Sequence, residues 1–129
     1  MHYGTCSSRE IKFRAYLKKY EAIYEVISID FPNKEIFITN KDNDEMIVDF
    51  DDVILMQYTG LKDKSSVEIY EGDIVKYKNN HVMEVIFDTE ENPSFMVEDD
   101  ERLLFINKKC SYEVIGNIYE NPELLEEKQ

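Results

Sequence analysis

The chain has 129 residues, 43% of them hydrophobic and 33% charged, with a formal net charge of -13. That is one domain's length, able to bury roughly two-thirds of its unfolded surface without metal or disulfide staples. Its acidity excludes a broadly phosphate-neutralising surface, because the global field repels nucleic acid and anionic membrane alike.

Taken in chain order, period two dominates and period 3.6 is scarce. Met1 to Ser8 have no charged flank ahead of an apolar core, so they read as a flexible appendage (1–8) and not as a secretory signal. From Ile11 to Leu17, Ile11, Phe13, Ala15 and Leu17 alternate with Lys12, Arg14 and Tyr16, which predicts a half-buried strand with a basic outer face. Ile23 to Phe31 resumes the alternation, with Ile23, Ile27, Ile29 and Phe31 on one side. Pro32-Asn33-Lys34 breaks it, because proline donates nothing to a ladder. Glu35–Thr39, Met46–Phe50 and Val53–Tyr58 are three further strands and complete an N-terminal β-sheet region, 9–58.

Thr59 to Ser66, with Gly60, Asp63 and two serines, reads as an exposed, turn-rich connection. Beyond it, Glu68-Ile69-Tyr70 is extended and Glu71-Gly72-Asp73 turns into the strand Ile74–Lys78. Asn79-Asn80 predicts a two-residue hairpin turn, which needs positive φ, before the return strand His81–Asp88. Phe95–Val97, Leu103–Ile106 and Tyr112–Tyr119 follow, the first two around the acidic tip Glu98 to Glu101. Gly116 within the last strand marks a bulge or bend. Asn121 as N-cap and Pro122 at the first position predict a short helix over about 122–127, in a tail spanning 121–129. The fold class expected is mainly β: antiparallel N-terminal strands, an SH3-like C-terminal barrel over 59–120, and a short C-terminal helix.

Three blocks carry a family resemblance. They are Arg9 to Ala15 (REIKFRA), the pair Tyr58 to Lys64 (YTGLKDK) and Glu68 to Val75 (EIYEGDIV), and Glu113 to Leu125 (EVIGNIYENPELL). In that order they resemble the YopX family of small phage and prophage proteins. The resemblance implies a phage- or prophage-encoded accessory protein in the cytoplasm of a bacterial host, and it supplies no catalytic residues to carry over.

The residues themselves offer no catalytic set either. Glu71 and Asp73 could suggest paired-carboxylate chemistry, but they flank a turn where Asp73 can accept backbone N–H bonds and Gly72 can supply φ. His81 stands alone beside a hairpin. Asp42-Asn43-Asp44-Glu45 begins like a calcium loop, yet Met46 stands where the next acid belongs. Cys6 and Cys110 are too few for a disulfide framework or zinc site, and Cys110 has no histidine to activate it. No enzyme, metal or cofactor is expected. No apolar run approaches the ~18 residues of a membrane helix, so no membrane partner is expected.

What remains is charge and tyrosine. Arg9 to Tyr20 holds Arg9, Lys12, Arg14, Lys18 and Lys19 against Glu10 alone, while Glu84 to Glu101 holds eight acids and no base. Nine tyrosines are more than one small core can satisfy with hydrogen bonds, so some belong at an interface. Tyr58, Tyr70, Tyr77 and Tyr119 are the candidates. The expectation is a protein-binding, homo-oligomeric accessory protein with an unidentified host or phage partner. Two alternatives stand: a nucleic-acid module using Arg9, Lys12, Arg14, Lys18 and Lys19, and an acidic inhibitor whose Glu84–Glu101 carboxylates imitate phosphates.

Overall fold

A computed structural model describes residues 10–78, 80–89, 93–107 and 109–126, and they form two antiparallel sheets. The first uses β1 (Phe13–Leu17), β2 (Ala22–Asp30), β3 (Glu35–Thr39), β4 (Glu45–Asp49), β5 (Val53–Lys62) and β6 (Glu68–Tyr70), in the order β4-β3-β2-β1-β5-β6. The second uses β7 (Asp73–Tyr77), β8 (His81–Asp88), β9 (Ser94–Glu98), β10 (Leu103–Phe105) and β11 (Tyr112–Asn117), in the order β10-β9-β8-β7-β11. A short helix α1 (Glu123–Glu126) follows. The second sheet is open: β10 and β11 are its two ends, and no ladder joins them among the described residues.

Alternation builds the first core. Ala15 and Leu17 of β1 point to one face, where Tyr24, Ile36, Ile38 and Val53 join them, all buried. The outer side of β2 departs from simple alternation. Val26 pairs with Ile38 but Ser28 pairs with Phe37, so Ile27 is an extra residue and the parity flips across it. Tyr24, Val26 and Ile29 therefore face the core, while Ile27 is 48% and Phe31 69% exposed. The single face expected for Ile23, Ile27, Ile29 and Phe31 is thus divided by a bulge.

The second core gathers Val75, Met83, Val85, Val97 and Tyr112 from its own sheet, and Ile69 from β6 of the first. The expected connection over 59–66 is largely strand, since β5 runs on to Lys62 and Lys62 pairs with Glu68. Only Asp63–Val67 turns, and Asp63 is buried instead of exposed. Its Oδ1 accepts the Ser65 and Val67 N–H groups and its Oδ2 the Val114 N–H, fastening the turn to β11. Burial pushes the Asp63 carboxyl up, but those backbone donors outweigh it and hold the group below its ordinary value.

Two turns differ in detail from expectation. Tyr77 pairs with His81, so the β7–β8 hairpin has a three-residue loop with Lys78 and Asn80 at positive φ, and Asn79 lies outside the described residues. Gly116 does follow a register shift in β11, but its need for glycine is close approach: a Cβ there would stand 2.6 Å from Asn121 Oδ1 and 2.9 Å from Leu124 Cδ1. Asn121 Oδ1 accepts the Asn117 N–H, locking the turn ahead of α1 where a helix cap was expected.

Gly72 joins the sheets. Its φ is +89°, a Cβ would lie 3.0 Å from Met56 Sδ, its N–H reaches Val85 O, and its C=O takes the Ile118 N–H. Gly72→Val should therefore lower stability by about 1–3 kcal/mol, from strain at a forbidden φ plus crowding. Urea unfolding measures it, and a change within error of wild type would refute the assignment.

Candidate functional site

β1 is covered on both faces. Ala15 and Leu17 enter the first core, and the opposite face, which alternation marks as a basic outer surface, meets the turn between β6 and β7. Arg14 pairs in register with Glu25 of β2 and Met56 of β5, which aims its side chain at that turn. Its Nη2 donates to Asp73 Oδ1 at 2.7 Å, and the guanidinium lies 4.7 Å over the Tyr70 ring. Asp73 Oδ2 accepts the Tyr70 N–H at 2.8 Å. The pair is secluded: the Arg14 side chain is 15% exposed and the Asp73 side chain 2%. Arg14 Nε is buried with no hydrogen-bond partner.

A second cation repeats the arrangement one row away. Lys12 Nζ donates to Glu68 Oε2 and lies 5.2 Å over the Tyr58 ring. Tyr58 and Tyr70 are register partners with ring centroids 5.4 Å apart. The layers therefore run Lys12, Tyr58, Tyr70, Arg14, with Glu68 and Asp73 supplying the counter-charges. The bond to Glu68 holds the Lys12 ammonium above its ordinary value. Burial, with the Glu68 charge, pushes the Tyr70 phenol up to about 12. Burial also raises the Asp73 carboxyl, and Arg14 and the Tyr70 N–H offset this only in part. Beside these layers opens a cavity of about 630 Å3, lined by Arg14, Tyr24, Glu25, Lys41, Glu68 and Tyr70 among others.

The other candidate residues are dispersed. Tyr119 stacks on Tyr16 at 5.1 Å, and burial, with Glu71 and Glu84, raises its phenol. Tyr77 belongs to the second core, 5.3 Å from Tyr112 and within 3.6 Å of Cys110 Sγ. Arg9 lies outside the described residues. Lys18 and Lys19 stand exposed at the β1–β2 turn, where Lys18 Nζ reaches Asp51 O and Lys19 Nζ lies 5.5 Å from the Tyr20 ring. The structure thus brings together Lys12, Arg14, Tyr58 and Tyr70, and separates them from Lys18, Lys19 and Tyr77. Glu68 and Asp73, as partners of β1, were missed. Nothing in the local sequence around Lys12 and Arg14 points to these two acids, which lie 56 and 59 residues away.

The acidic segments also take up defined places. In the β3–β4 turn, Asn40 Oδ1 accepts the N–H groups of Asp42 and Asp44, and Asn43 has positive φ, so turn geometry accounts for that run. Glu84 and Glu98 are directly opposed on β8 and β9, and burial, then the Glu98 charge, raises the Glu84 carboxyl. Large apolar side chains are exposed near the sheet ends: Ile47 on β4 at 64%, Leu103 on β10 at 46% and Phe105 at 60%.

This is a mainly β protein of two sheets riveted through one turn. A family model described as "YopX protein" matches residues 12–126, and the chain belongs to the YopX family. The crystal structure of protein EF1440 from Enterococcus faecalis is similar, at 33% identity and a TM-score of 0.63, covering 92% of this chain and 99% of that one. No curated protein matches. Among the described residues no helix is long and apolar enough to cross a membrane.

Two outcomes follow from the geometry. Sequence alone suggests that Asp73→Asn is mild, since one oxygen remains to accept the backbone N–H. Both oxygens are in use, however, and an amide would set its NH2 against either Arg14 or the Tyr70 N–H. The substitution should cost about 2–4 kcal/mol in urea unfolding, because it leaves a buried guanidinium undercompensated. A loss below ~0.5 kcal/mol would remove this account.

The raised Asp73 and Glu84 carboxyls also set a pH dependence. Between the ordinary carboxylate value and the raised native one, the folded chain holds more protons than the unfolded chain. Their contribution to stability is therefore present at lower pH and is lost as pH rises through that window. Melting temperature should climb as pH falls towards the ordinary carboxylate value, and Glu84→Gln should flatten the climb. An unchanged slope in Glu84→Gln would show that the Glu84–Glu98 opposition is immaterial.

Proposed function

We propose that this YopX-family protein is a non-enzymatic, phage- or prophage-encoded accessory protein of the bacterial cytoplasm, acting by binding proteins and associating with itself. The observation that carries this reading is where the apolar surface lies. Ile47, Leu103 and Phe105 are exposed on terminal strands, where main-chain hydrogen-bonding groups are also open to a partner. The candidate tyrosines support it less directly, since Tyr58 and Tyr70 pack on each other and under the Lys12 and Arg14 cations. We take the second sheet, curled around Ile69 and Tyr112, as an SH3-like module, an analogy of shape that implies no activity.

The nucleic-acid alternative draws less support, because Lys12 and Arg14 are committed to Glu68 and Asp73, leaving Lys18 and Lys19 at the surface. The acidic-mimic alternative is weakened where Glu84 is half-buried opposite Glu98 and burial disfavours its charge. Light scattering over a concentration series tests the main reading, with a mass that rises with concentration as the expected result. A strict monomer throughout would exclude self-association. Tight duplex-DNA binding that survives high salt would favour the nucleic-acid alternative instead.

A further inference from the structure

We infer that β4 takes an added antiparallel strand from a basic protein partner, an extended segment with Lys or Arg two residues to either side of an apolar residue. The inference rests on the protein-binding reading above and names its surface and occupant. β4 is an end strand of the first sheet. Its inner side is fixed on β3, where Asn40 N bonds Asp44 O at 3.3 Å and Phe50 N bonds Lys34 O at 3.0 Å. Antiparallel ladders alternate, so Met46 and Val48 turn their main-chain groups to β3, and Glu45, Ile47 and Asp49 turn theirs outward. The Asp49 N–H is taken by Asp52 Oδ2 at 3.0 Å, which closes that end of the edge. Among the described residues, Glu45 and Ile47 keep their outward main-chain groups open to an incoming strand.

The side chains set what that strand must carry. On the outer face, register continues three rows from β3 into β4: Thr39–Glu45, Phe37–Ile47 and Glu35–Asp49. An apolar row, with Ile47 64% exposed at its open end, thus lies between two rows that end in exposed acids. Glu35 has a carboxylate on either side, because Asp30 of β2, which also accepts the Asn33 N–H, opposes it from behind. Like charges directly opposed destabilise a sheet. The capping box of Asp49 and Asp52 occupies main-chain N–H groups and brings no counter-charge. Among the described residues no base forms an ion pair with Glu35, Glu45 or Asp49, and Lys34 and Lys41 lie in the flanking turns. A strand that continues the rows therefore complements them with base, apolar residue, base. Its two intervening residues extend the face on which Met46 and Val48 pack against the first core. A second β4 would set Glu45 against Asp49, so this chain's own edge is excluded as the occupant.

A capped, fluorescent Lys-Val-Ile-Val-Lys peptide, titrated by anisotropy against the whole chain, tests this. It should bind, weaken as salt rises, and outbind a Glu-Val-Ile-Val-Glu peptide at least about tenfold. Methylating the main-chain nitrogen of its Ile, which faces Ile47, should cost about the same factor. Methylating that of its first Val, which faces away, should cost little. Glu45→Lys changes an exposed side chain, should leave the melt near wild type, and should weaken the Lys peptide about fivefold or more. If the two methylated peptides bind alike, or Glu45→Lys leaves binding unchanged, the peptide is not adding to β4 and the inference is wrong. If Glu45→Lys lowers the melt, the methylated pair on wild type decides alone. If the Lys peptide does not bind while light scattering shows a mass rising with concentration, the β4 assignment falls and the reading above stands. If the chain is also a strict monomer, both fall.

Discussion

Asp73 sits where one reversal of the chain must serve two sheets, and its carboxylate answers both. One oxygen takes the Tyr70 N–H, closing the turn, and the other takes Arg14 from the central strand of the first sheet. Around it the turn spends its main-chain groups outward: Glu71 N to Gln57 O on β5, Gly72 N to Val85 O on β8, and Gly72 O to the Ile118 N–H. A buried ion pair of this kind contributes little net stability over an apolar replacement, since desolvation costs nearly what attraction returns. Its effect is on arrangement. Removing either partner leaves an unpaid charge in a dry place, so arrangements that separate the two sheets are disfavoured far more than the folded one is favoured.

The same pairing decides how an acidic protein distributes its charge. The two bases of β1 are neutralised from within, Lys12 by Glu68 and Arg14 by Asp73, and their aromatic faces are Tyr58 and Tyr70. Lys18 and Lys19 remain at a turn, and acids dominate most of the surface left over. A basic run in the sequence is thus no basic patch in space. Phosphate-binding surfaces depend on several cations acting together, and here the fold has divided them.

Local structure was legible because alternation encodes it. β3 and β8 fall where the pattern puts them, Glu35–Thr39 and His81–Asp88, and the positive φ at Gly72 was readable from the turn chemistry. What was illegible has two physical origins. A bulge leaves composition unchanged while flipping every later side chain, so Ile27 reads as core although it is exposed, and Phe31 reads so although it lies past the end of β2 in the turn. Long-range pairing carries no local mark at all: Arg14 and Asp73 are 59 residues apart, and nothing in either neighbourhood names the other. Asp63 failed for a related reason, as an acid in a polar, glycine-containing stretch resembles an exposed turn until three distant and near N–H groups are seen to converge on it.

Edges decide what such a fold can join. An unpaired end strand with apolar side chains invites addition, and a protein with two equivalent inviting edges grows into a filament. The two apolar edges here are not equivalent. β4 carries Glu45 and Asp49 on the same face as Ile47 and follows the acidic turn at Asp42 and Asp44, so a second β4 is repelled while a basic partner is not. β10 has no charge within it, and the acids before it are folded into a turn in which Asp99 Oδ1 accepts the Glu101 and Arg102 N–H groups, so the β10 edge offers a partner apolar side chains where the β4 edge offers acids.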